Sequence, residues 1–305
     1  MRCRLQLKPA SVVSHDPHEC GKGNQPGLVH AVGPVVYAEM APPPDLASDI
    51  VCFWTMRIDQ DAGNFVQHLL PDLTVDVISL NGEPLFVMGP PTSATQLTLQ
   101  PGTILAGVRL HAGVARRLLD CSPADLLDGI APFDTAIRTR LRDAATGGER
   151  SVHATMATLL RRQIAMDDGH ADPMVRSAID WLAANSRGSL NALSRHVGWS
   201  DRELRRRFVA FLGVGPKLAQ RMLRVQHALR LARETEGGVS LSGMATECGF
   251  ADQSHLSREV RRFADLTPRE MRSMAQSGVD YVSVADLEGD TPATHVVRRM
   301  HGSDG

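Results

Sequence analysis

The sequence predicts an α+β protein with a β-rich, barrel-like N-terminal domain that has a helical extension, followed by an all-α domain with two helix-turn-helix units. Three observations support this prediction. Short apolar runs separated by turn residues occupy positions 31–111, helical periodicity takes over after Gly113, and one helical pattern recurs between positions 189 and 276. A length of 305 residues is typical of two domains.

The N-terminal part reads as an arm followed by strands. Residues 1–27 are polar and rich in Gly, Pro and His, which predicts a flexible arm. The predicted strands that follow are Val32–Met40, Ile50–Ile58, Val75–Leu80, Pro84–Met88 and Ile104–Leu110. Between two of them, Asn81-Gly82 is typical of a hairpin turn. Short strands at this spacing indicate a sandwich or small barrel.

Two helical segments are expected to extend the β-rich domain. Ser122-Pro123-Ala124-Asp125 has the pattern of a capping box at a helix start. Ser151–Met166 has an apolar face that could pack on the strands or form a dimer contact, and the pattern leaves both open. We therefore divide the chain into the arm, a β-rich domain at 28–166, a helical domain at 173–276 and a tail at 277–305.

Charge is distributed unevenly along the chain. The whole sequence has 33 basic and 34 acidic residues, but residues 172–276 hold 17 basic and 11 acidic ones, and the remainder holds 16 and 23. A basic segment joined to an acidic one is a hint of nucleic-acid binding.

An internal repeat is the most informative feature of the sequence. The residues Leu190, Leu193, Gly198, Trp199 and Asp201 match Leu241, Met244, Gly249, Phe250 and Asp252 at a constant offset of 51 positions. After the turn the offset becomes 52, so Leu204 and Phe208 match Leu256 and Val260. Each unit reads as helix, tight turn and helix, at about 189–212 and 241–263.

The second helix of each unit has a polar outer face. In the first unit Ser200–Glu203 forms a capping box, and Arg202, Arg205 and Arg206 lie opposite the apolar stripe. An arginine-bearing helix behind a short turn suits the major groove, where arginine makes bidentate bonds to guanine.

A predicted connecting helix, at about 216–233, separates the two units. Eighteen residues at 1.5 Å each give a rod of about 27 Å. Successive major grooves on one face of B-DNA recur about every 34 Å, so the rod could place the two units in neighbouring grooves.

With these residues identified, the segment from about Pro173 to Ala275 resembles the DNA-binding domain of the AraC/XylS family of bacterial regulators. The most specific run is Gly249–Arg258, followed by Phe263, Leu266-Thr267-Pro268 and Arg272. In the first unit, Leu204, Arg206 and Phe208 followed by Gly213, Gly215 and Pro216 fit the family pattern. Two positions depart from it: a glycine replaces the usual capping Ser or Thr before Pro216, and Val260 stands where Phe is more frequent.

The resemblance implies which side chains contact DNA. The positions expected to reach base edges are Arg202, Arg205, Arg206, Gln253, Ser254, Ser257 and Arg258. The positions expected to contact phosphate are Lys217, Arg221, Arg224 and Arg261.

The N-terminal half more loosely resembles the β-rich sensory domains that precede this module. The matching runs are Phe53-Trp54, Leu70-Pro71-Asp72, Met88-Gly89-Pro90 and Gly107–Leu110. A sensory domain needs a pocket for an effector, and Arg109, His68 and Asp72 are our candidates for its polar groups. Arg109 could anchor an anionic effector or form only a surface ion pair.

Several other classes of function find no support in the pattern. The sequence has no G-x-S-x-G, no phosphate-binding glycine loop and no H-E-x-x-H, so we expect neither an enzyme nor a cofactor. Its five cysteines show no C-x-x-C pair, and His15, His18 and Cys20 fall in the predicted arm, so we expect no metal site and no alkyl-accepting cysteine cluster. No apolar run is long enough for a membrane span or a secretory segment, which favours a cytoplasmic protein.

The sequence therefore predicts a sequence-specific DNA-binding transcription regulator that responds to a small effector. The resemblance implies contact with RNA polymerase, and a homodimer is compatible with the pattern. Two alternatives stay open: a DNA-binding protein whose N-terminal domain is enzymatic, and an architectural DNA-binder without sequence preference.

Overall fold

The computed structural model describes residues 29–32, 35–82, 85–118, 122–132, 149–166, 172–234 and 239–276. The predicted arm and tail lie outside the described residues, as do His15, His18 and Cys20. The described part has antiparallel strands in its N-terminal half and helices in its C-terminal half, which confirms the predicted fold class.

The strands form two separate sheets rather than the barrel-like closure expected from the sequence. The strands are β1 (Val29–Val32), β2 (Val35–Met40), β3 (Ile50–Ile58), β4 (Phe65–Leu69), β5 (Val75–Leu80), β6 (Phe86–Met88), β7 (Thr95–Leu99), β8 (Ile104–Leu110) and β9 (Ile130–Pro132). Seven form one sheet in the order β1-β2-β3-β8-β5-β6-β9, while β4 and β7 pair only with each other. Closure is not reached because β1 and β9 are the two edges of the large sheet.

The predicted strand at 32–40 falls on two strands, β1 and β2, and β4, β7 and β9 were not predicted from the sequence. The Asn81-Gly82 turn does join paired strands, since Ile78 pairs with Phe86. However, Asn81 bonds to β8: its N–H donates to the Ile104 carbonyl at 2.8 Å, and its Oδ1 accepts from the Ile104 N–H at 2.8 Å. The left-handed backbone of Asn81, with φ 51°, is therefore held by the neighbouring strand.

Each face of the large sheet has its own core. Phe53, Val77 and Val108 pack on one face with Met156 and Leu160 of helix α3 (Glu149–Met166). This contact decides between the two roles left open for that helix, because its apolar stripe covers the sheet. The short helices α1 (Ala115–Leu118) and α2 (Pro123–Leu126) lie at the same side. Ser122 begins α2 but makes no side-chain cap, so the predicted capping box is wrong.

The opposite face of the sheet is fixed by one close approach. Trp54 pairs across the strands with Gly107, and a Cβ added at Gly107 would lie 2.4 Å from the indole ring. Glycine in the middle of a strand weakens the strand, but here it makes room for the tryptophan. The remaining apolar residues of this face include Tyr37, Met56, Ile78 and Leu105.

Residues 172–276 form the helical domain. Its helices are α4 (Pro173–Ala184), α5 (Leu190–Val197), α6 (Asp201–Leu212), α7 (Pro216–Glu234), α8 (Leu241–Glu247), α9 (Gln253–Ala264) and α10 (Pro268–Gln276). The two predicted helix-turn-helix units are α5–α6 and α8–α9, and α7 is the predicted connecting helix. Gly198 and Gly249 both have positive φ, at 67° and 76°, so the repeat extends to the backbone of the two turns.

The two halves of the chain contact each other through several elements. Leu70 and Leu73, which follow β4, are buried in the core of the helical domain, and Gln226 of α7 donates to the Pro71 carbonyl at 2.6 Å. Arg116 of α1 lies over the ring of Phe211 at the end of α6. The β-rich half therefore touches both the first helix-turn-helix unit and the connecting helix.

We predict that Gly107→Ala destabilises the protein, because the new methyl group must displace the Trp54 ring. Overpacking of this kind costs about 1–3 kcal/mol of unfolding free energy. Urea denaturation followed by circular dichroism measures it. The control is Gly63→Ala, where an added Cβ meets nothing within 4 Å and stability should be unchanged. Equal stability of the two variants would contradict this account of the sheet.

Candidate functional site

The outer face of α6 is formed by arginines near the start of the helix. Ser200 caps the helix by accepting from the Glu203 N–H at 3.2 Å, and Gly213, with φ 74°, ends it. Leu204, Phe208 and Leu212 are fully buried, while Arg202, Arg205 and Arg206 are exposed. Because the apolar stripe of α6 faces the core, the predicted base-contacting arginines on the opposite face are exposed to solvent.

Glu203 does not complete the capping box, because its carboxylate bonds to arginines of the same helix. Arg206 makes two bonds to it, at 2.8 and 2.6 Å, and Arg207 makes one at 2.6 Å. These bonds lower the pKa of the Glu203 carboxyl to about 2. Arg207 also pairs with Asp172 and lies 4.8 Å from the Trp199 ring, so it belongs to the framework of the unit.

The outer face of α9 is less basic. Asp252 caps this helix by accepting from the His255 N–H at 2.7 Å, and Leu256, Val260 and Phe263 are buried. Gln253, Ser254 and Arg258 are exposed. Ser257 is half-buried, and its hydroxyl donates to the Gln253 carbonyl at 2.9 Å, which leaves it able to accept another bond.

The connecting helix α7 is bonded to the start of the first unit. Three of its side chains contact the segment just before α5: Gln220 donates to the Gly188 carbonyl at 2.7 Å, Arg224 donates to the Ser186 carbonyl at 2.7 Å, and His227 bonds to the Ser186 hydroxyl at 2.7 Å. These bonds fix α7 relative to the first unit.

The same helix is bonded to the second unit by one ion pair. Arg221 makes two bonds to the Glu259 carboxylate of α9, at 2.6 and 2.8 Å, and lies 5.2 Å from the Phe263 ring. Only 6% of Glu259 is exposed, so its charge depends on this partner. The sequence did not single out Glu259, because a lone glutamate on a helix carries no signal of burial.

The four predicted phosphate contacts therefore differ in their surroundings. Lys217 is exposed at the start of α7, and Arg261 is exposed on α9, where it pairs loosely with Asp265 at 3.5 Å. Arg221 and Arg224 already bond inside the domain. Their contact with phosphate stays a prediction, and a role in positioning the two units competes with it.

The predicted effector residues occupy the β-rich half. Arg109 is only 4% exposed, and it bonds to Asp76 through Nε at 3.2 Å and through Nη2 at 3.3 Å. The expected surface ion pair is thus a buried one. Asp72 lies near enough to Arg109 and Asp76 for their charges to act on it, while His68 is half-buried on β4 of the smaller sheet.

Burial raises the pKa of Asp72 from 3.8 to about 6, and the negative charge of Asp76 adds to the effect. The Arg109 charge and a bond from the Thr74 N–H, at 3.0 Å, oppose the shift. The proton is therefore held more tightly in the folded protein than in the unfolded chain.

The described ranges contain neither a side-chain cluster suited to a metal ion nor a helix suited to a membrane. No group of three or more His, Cys, Asp and Glu side chains is arranged there to hold a metal ion. None of the helices described is both long and apolar enough to cross a membrane.

Comparison with protein families gives two matches. Residues 193–274 match a helix-turn-helix domain family, and residues 38–132 match a domain of unknown function (DUF6597). The first match spans α6 to α9 with most of α5 and α10, and the second spans the large sheet from β2 to β9.

Curated relatives are transcription regulators. The chain is 30% identical over 112 residues to the HTH-type transcriptional regulator ArgR of Pseudomonas aeruginosa, covering 36% of this chain and 33% of that protein. It is 27% identical over 144 residues to the HTH-type transcriptional activator RhaS of Escherichia fergusonii, covering 44% and 51%. The chain thus spans a third to a half of the length of these relatives.

A solved structure of a transcriptional regulator from Chromobacterium violaceum, described as having an AraC-type DNA-binding domain, is 30% identical to the chain. The match covers 34% of this chain and 92% of the solved one, with a TM-score of 0.32.

We predict that Arg221→Ala weakens DNA binding through lost positioning rather than through a lost phosphate contact. The variant leaves Glu259 buried and unpaired, which costs about 3–5 kcal/mol of stability. The slope of log Kd against log salt should stay as in the wild type, and Glu259→Gln in the same chain should restore part of the stability. Fluorescence anisotropy and thermal unfolding measure both.

Lys217→Ala is the matched control for the phosphate role. It should reduce the salt slope by about 1 and leave stability unchanged, because Lys217 is exposed. A salt slope reduced in the Arg221 variant, with stability intact, would instead assign Arg221 to phosphate.

We predict that Asp72 makes the stability of the protein fall as pH rises. Its folded pKa of about 6 lies above the ordinary 3.8, so its contribution is full below about pH 4 and is lost through pH 6. The loss amounts to roughly 3 kcal/mol of unfolding free energy. Urea denaturation across this range should show it in the wild type, while Asp72→Asn, which cannot ionise, should lack that component. Identical pH profiles would contradict the assigned pKa.

Proposed function

Because the chain belongs to the AraC/XylS family of transcription regulators, we propose that it binds promoter DNA sequence-specifically and regulates transcription in response to a small effector. The observation that supports this most directly is the duplicated unit. The helices α6 and α9 occupy corresponding positions in the two units. Both expose a polar outer face, and their apolar stripes are buried in the core of one domain. We refer to α6 and α9 as the reading helices.

Each reading helix is proposed to enter a major groove of the same DNA molecule. The connecting helix α7 has 19 residues, a length of about 28 Å, which is close to the roughly 34 Å between successive grooves. The polar bonds from Gln220, Arg221 and Arg224 hold both units to this helix, so the spacing of the reading helices is set before DNA is met. A preset spacing avoids an ordering cost on binding.

The side chains proposed to reach bases are Arg202, Arg205, Arg206, Gln253, Ser254, Ser257 and Arg258. Arginine suits guanine, and glutamine suits adenine. Arg206 has to exchange a carboxylate partner for a base, since it is bonded to Glu203 in the free protein. The Arg206 side chain is 64% exposed and that of Glu203 29%, so this is a surface ion pair and breaking it costs little free energy. Lys217 and Arg261 are proposed to contact phosphate.

Further partners are part of the proposal. With promoter DNA as its ligand, the protein is proposed to act in the bacterial cytoplasm and to associate with the nucleoid when bound. We propose contact with RNA polymerase because of the family resemblance, and we propose a homodimer through the β-rich domain as a further partner arrangement. The effector is proposed to bind the β-rich domain, whose Leu70–Leu73 segment touches the connecting helix.

The alternative of an architectural DNA-binder makes a different prediction. Such a protein would bind unrelated sequences with similar affinity, mainly through phosphate contacts that weaken with salt. The exposed Gln253 and Ser254 favour base reading, because neither adds charge for phosphate. An enzymatic role of the N-terminal domain has no supporting feature among the described residues.

We predict that Arg206→Ala lowers affinity for the cognate site by about 1–3 kcal/mol and relaxes preference at one base pair. Selection of bound genomic fragments first defines the site, and footprinting and anisotropy then compare variant with wild type. Arg269→Ala is the matched control, because Arg269 is an exposed arginine on α10, outside the reading helices.

Arg269→Ala should keep the footprint and the base preference. If Arg206→Ala also gave the wild-type footprint at wild-type strength, the assignment of α6 as a reading helix would be wrong. If the wild type itself bound random DNA as tightly as the selected site, the architectural alternative would replace sequence-specific regulation.

A further inference from the structure

Unpartnered polar atoms are concentrated at one place in the β-rich half. Among the described residues, three buried side-chain atoms lack a hydrogen-bond partner: Glu39 Oε2, Thr74 Oγ1 and Arg109 Nη1. Glu39 is 8% exposed, Thr74 6% and Arg109 4%. Buried polar groups in proteins are nearly always paired, so the unpaired atoms of Glu39 on β2 and Arg109 on β8 indicate a missing partner.

Two of these residues, Glu39 and Arg109, belong to one connected cluster on the face of the large sheet that carries Trp54. Arg109 pairs across the strands with Cys52 and Asp76, which places these side chains on the same face. Arg109 Nη1 lies 3.9 Å from Glu39 Oε1, and Asp76 receives a bond from the Trp54 indole N–H at 3.0 Å. Glu39 also accepts from the Tyr37 hydroxyl at 2.6 Å. We call Tyr37, Glu39, Trp54, Asp76 and Arg109 the sheet cluster.

The charge of the sheet cluster is negative. Glu39 and Asp76 face one guanidinium, and nearby Asp72 adds a third carboxyl. Two nitrogens of Arg109 already donate hydrogen bonds to Asp76, so few of its N–H groups are available to bind an anion. The surplus carboxylate, with its free oxygen at Glu39, instead suits a positively charged donor of hydrogen bonds.

Two aromatic residues lie beside Glu39, one bonded to its carboxylate and one paired with it across the strands. Tyr37 and Trp54 are stacked with ring centroids 6.2 Å apart, and both are buried next to Glu39 through strand pairing and the Tyr37 bond. Electron-rich ring faces attract cations, and a carboxylate beside such rings can accept the hydrogen bonds of an organic ammonium group.

We propose that the sheet cluster is the effector site and that it binds a small ligand with a protonated amine. The amine donates to Glu39 Oε2, the carboxylate oxygen that has no partner in the free protein. This assignment rests on the proposed effector response and replaces the anionic effector considered from the sequence.

The site is linked to the helical domain by the four residues Leu70–Leu73. Leu70 and Leu73 are buried in the core of the helical domain, and the Pro71 carbonyl between them accepts from Gln226 of α7. Asp72 is the next residue in the chain, and the charges of Arg109 and Asp76 act on its pKa. A cation bound at the cluster favours the ionised form of Asp72, because opposite charges attract. Asp72 belongs to the Leu70–Leu73 segment, so a change in its charge acts on the segment that contacts the connecting helix.

Three small probes that share a phenyl-ethyl skeleton test the ligand class on the full chain. Calorimetry should detect binding of 2-phenylethylamine, and it should find 3-phenylpropionate and the trimethylated amine at least tenfold weaker. The propionate carries the wrong charge, and the trimethylated amine has no N–H to donate. Tighter binding of the propionate, equal binding of the trimethylated amine, or no binding of any probe at concentrations on the order of 10 mM would each overturn the proposal.

Variants locate the site. Glu39→Gln should weaken amine binding at least tenfold, while Asp61→Asn, an exposed carboxylate of the same half, should leave it unchanged. Wild-type amine affinity in a folded Glu39→Gln protein would place the site elsewhere. If that variant does not fold, as judged by circular dichroism, the comparison of the three probes on the wild type still decides the ligand class.

DNA binding provides the test of the link. Saturating 2-phenylethylamine should change the Kd for the selected site at least threefold, and Gln226→Leu should reduce that change without altering amine affinity. An unchanged Kd in the wild type would overturn the link. Failure of the proposed function is recognised separately, because the wild type without amine would then show no sequence-specific DNA binding.

Discussion

The ion pair between Arg221 and Glu259 is the constraint on which the geometry of the helical domain depends. A carboxylate with 6% exposure needs a partner, and the two bonds from Arg221 hold the second reading helix against the connecting helix. One turn along α7, Arg224 bonds to the segment before the first unit. Neighbouring side chains of a single helix therefore fix both units, and their spacing becomes a property of the free protein.

The β-rich half differs from the helical domain in that charged side chains are buried on one face of its large sheet. Two apolar cores cover the two faces, and the sheet cluster interrupts one of them with Glu39, Asp76 and Arg109. Unpaired polar atoms in such a place cost stability, and in our proposal a bound amine supplies the partner of Glu39. The segment Leu70–Leu73 contacts α7, the helix that spaces the reading helices. The destabilising unpaired atoms are therefore close to a segment that touches this helix.

Much of the helical domain was predictable because its signals are local. The serine caps, the glycines of the turns and the apolar stripes are read within one helix, and the structure places their boundaries within a residue or two of the prediction. The predicted capping box at Ser122 is wrong, since α2 is a single turn whose position is set by contact with its surroundings. In the β-rich half, Ile50–Ile58, Val75–Leu80 and Ile104–Leu110 were found, because buried central strands are continuously apolar. Strands β4 and β7 were not, since each is half-exposed and mixed in composition.

The sequence by itself determined the duplicated helix-turn-helix pattern, the outward position of Arg202, Arg205 and Arg206, and the α+β class. Only the tertiary structure decided that the sheets stay separate, that Arg221 pairs with Glu259, and that Arg109 is buried between carboxylates. The physical reason is the range of the interactions. Helix periodicity and capping join residues three or four positions apart, whereas these pairings join residues 38 and 33 positions apart and depend on which strands and helices become neighbours.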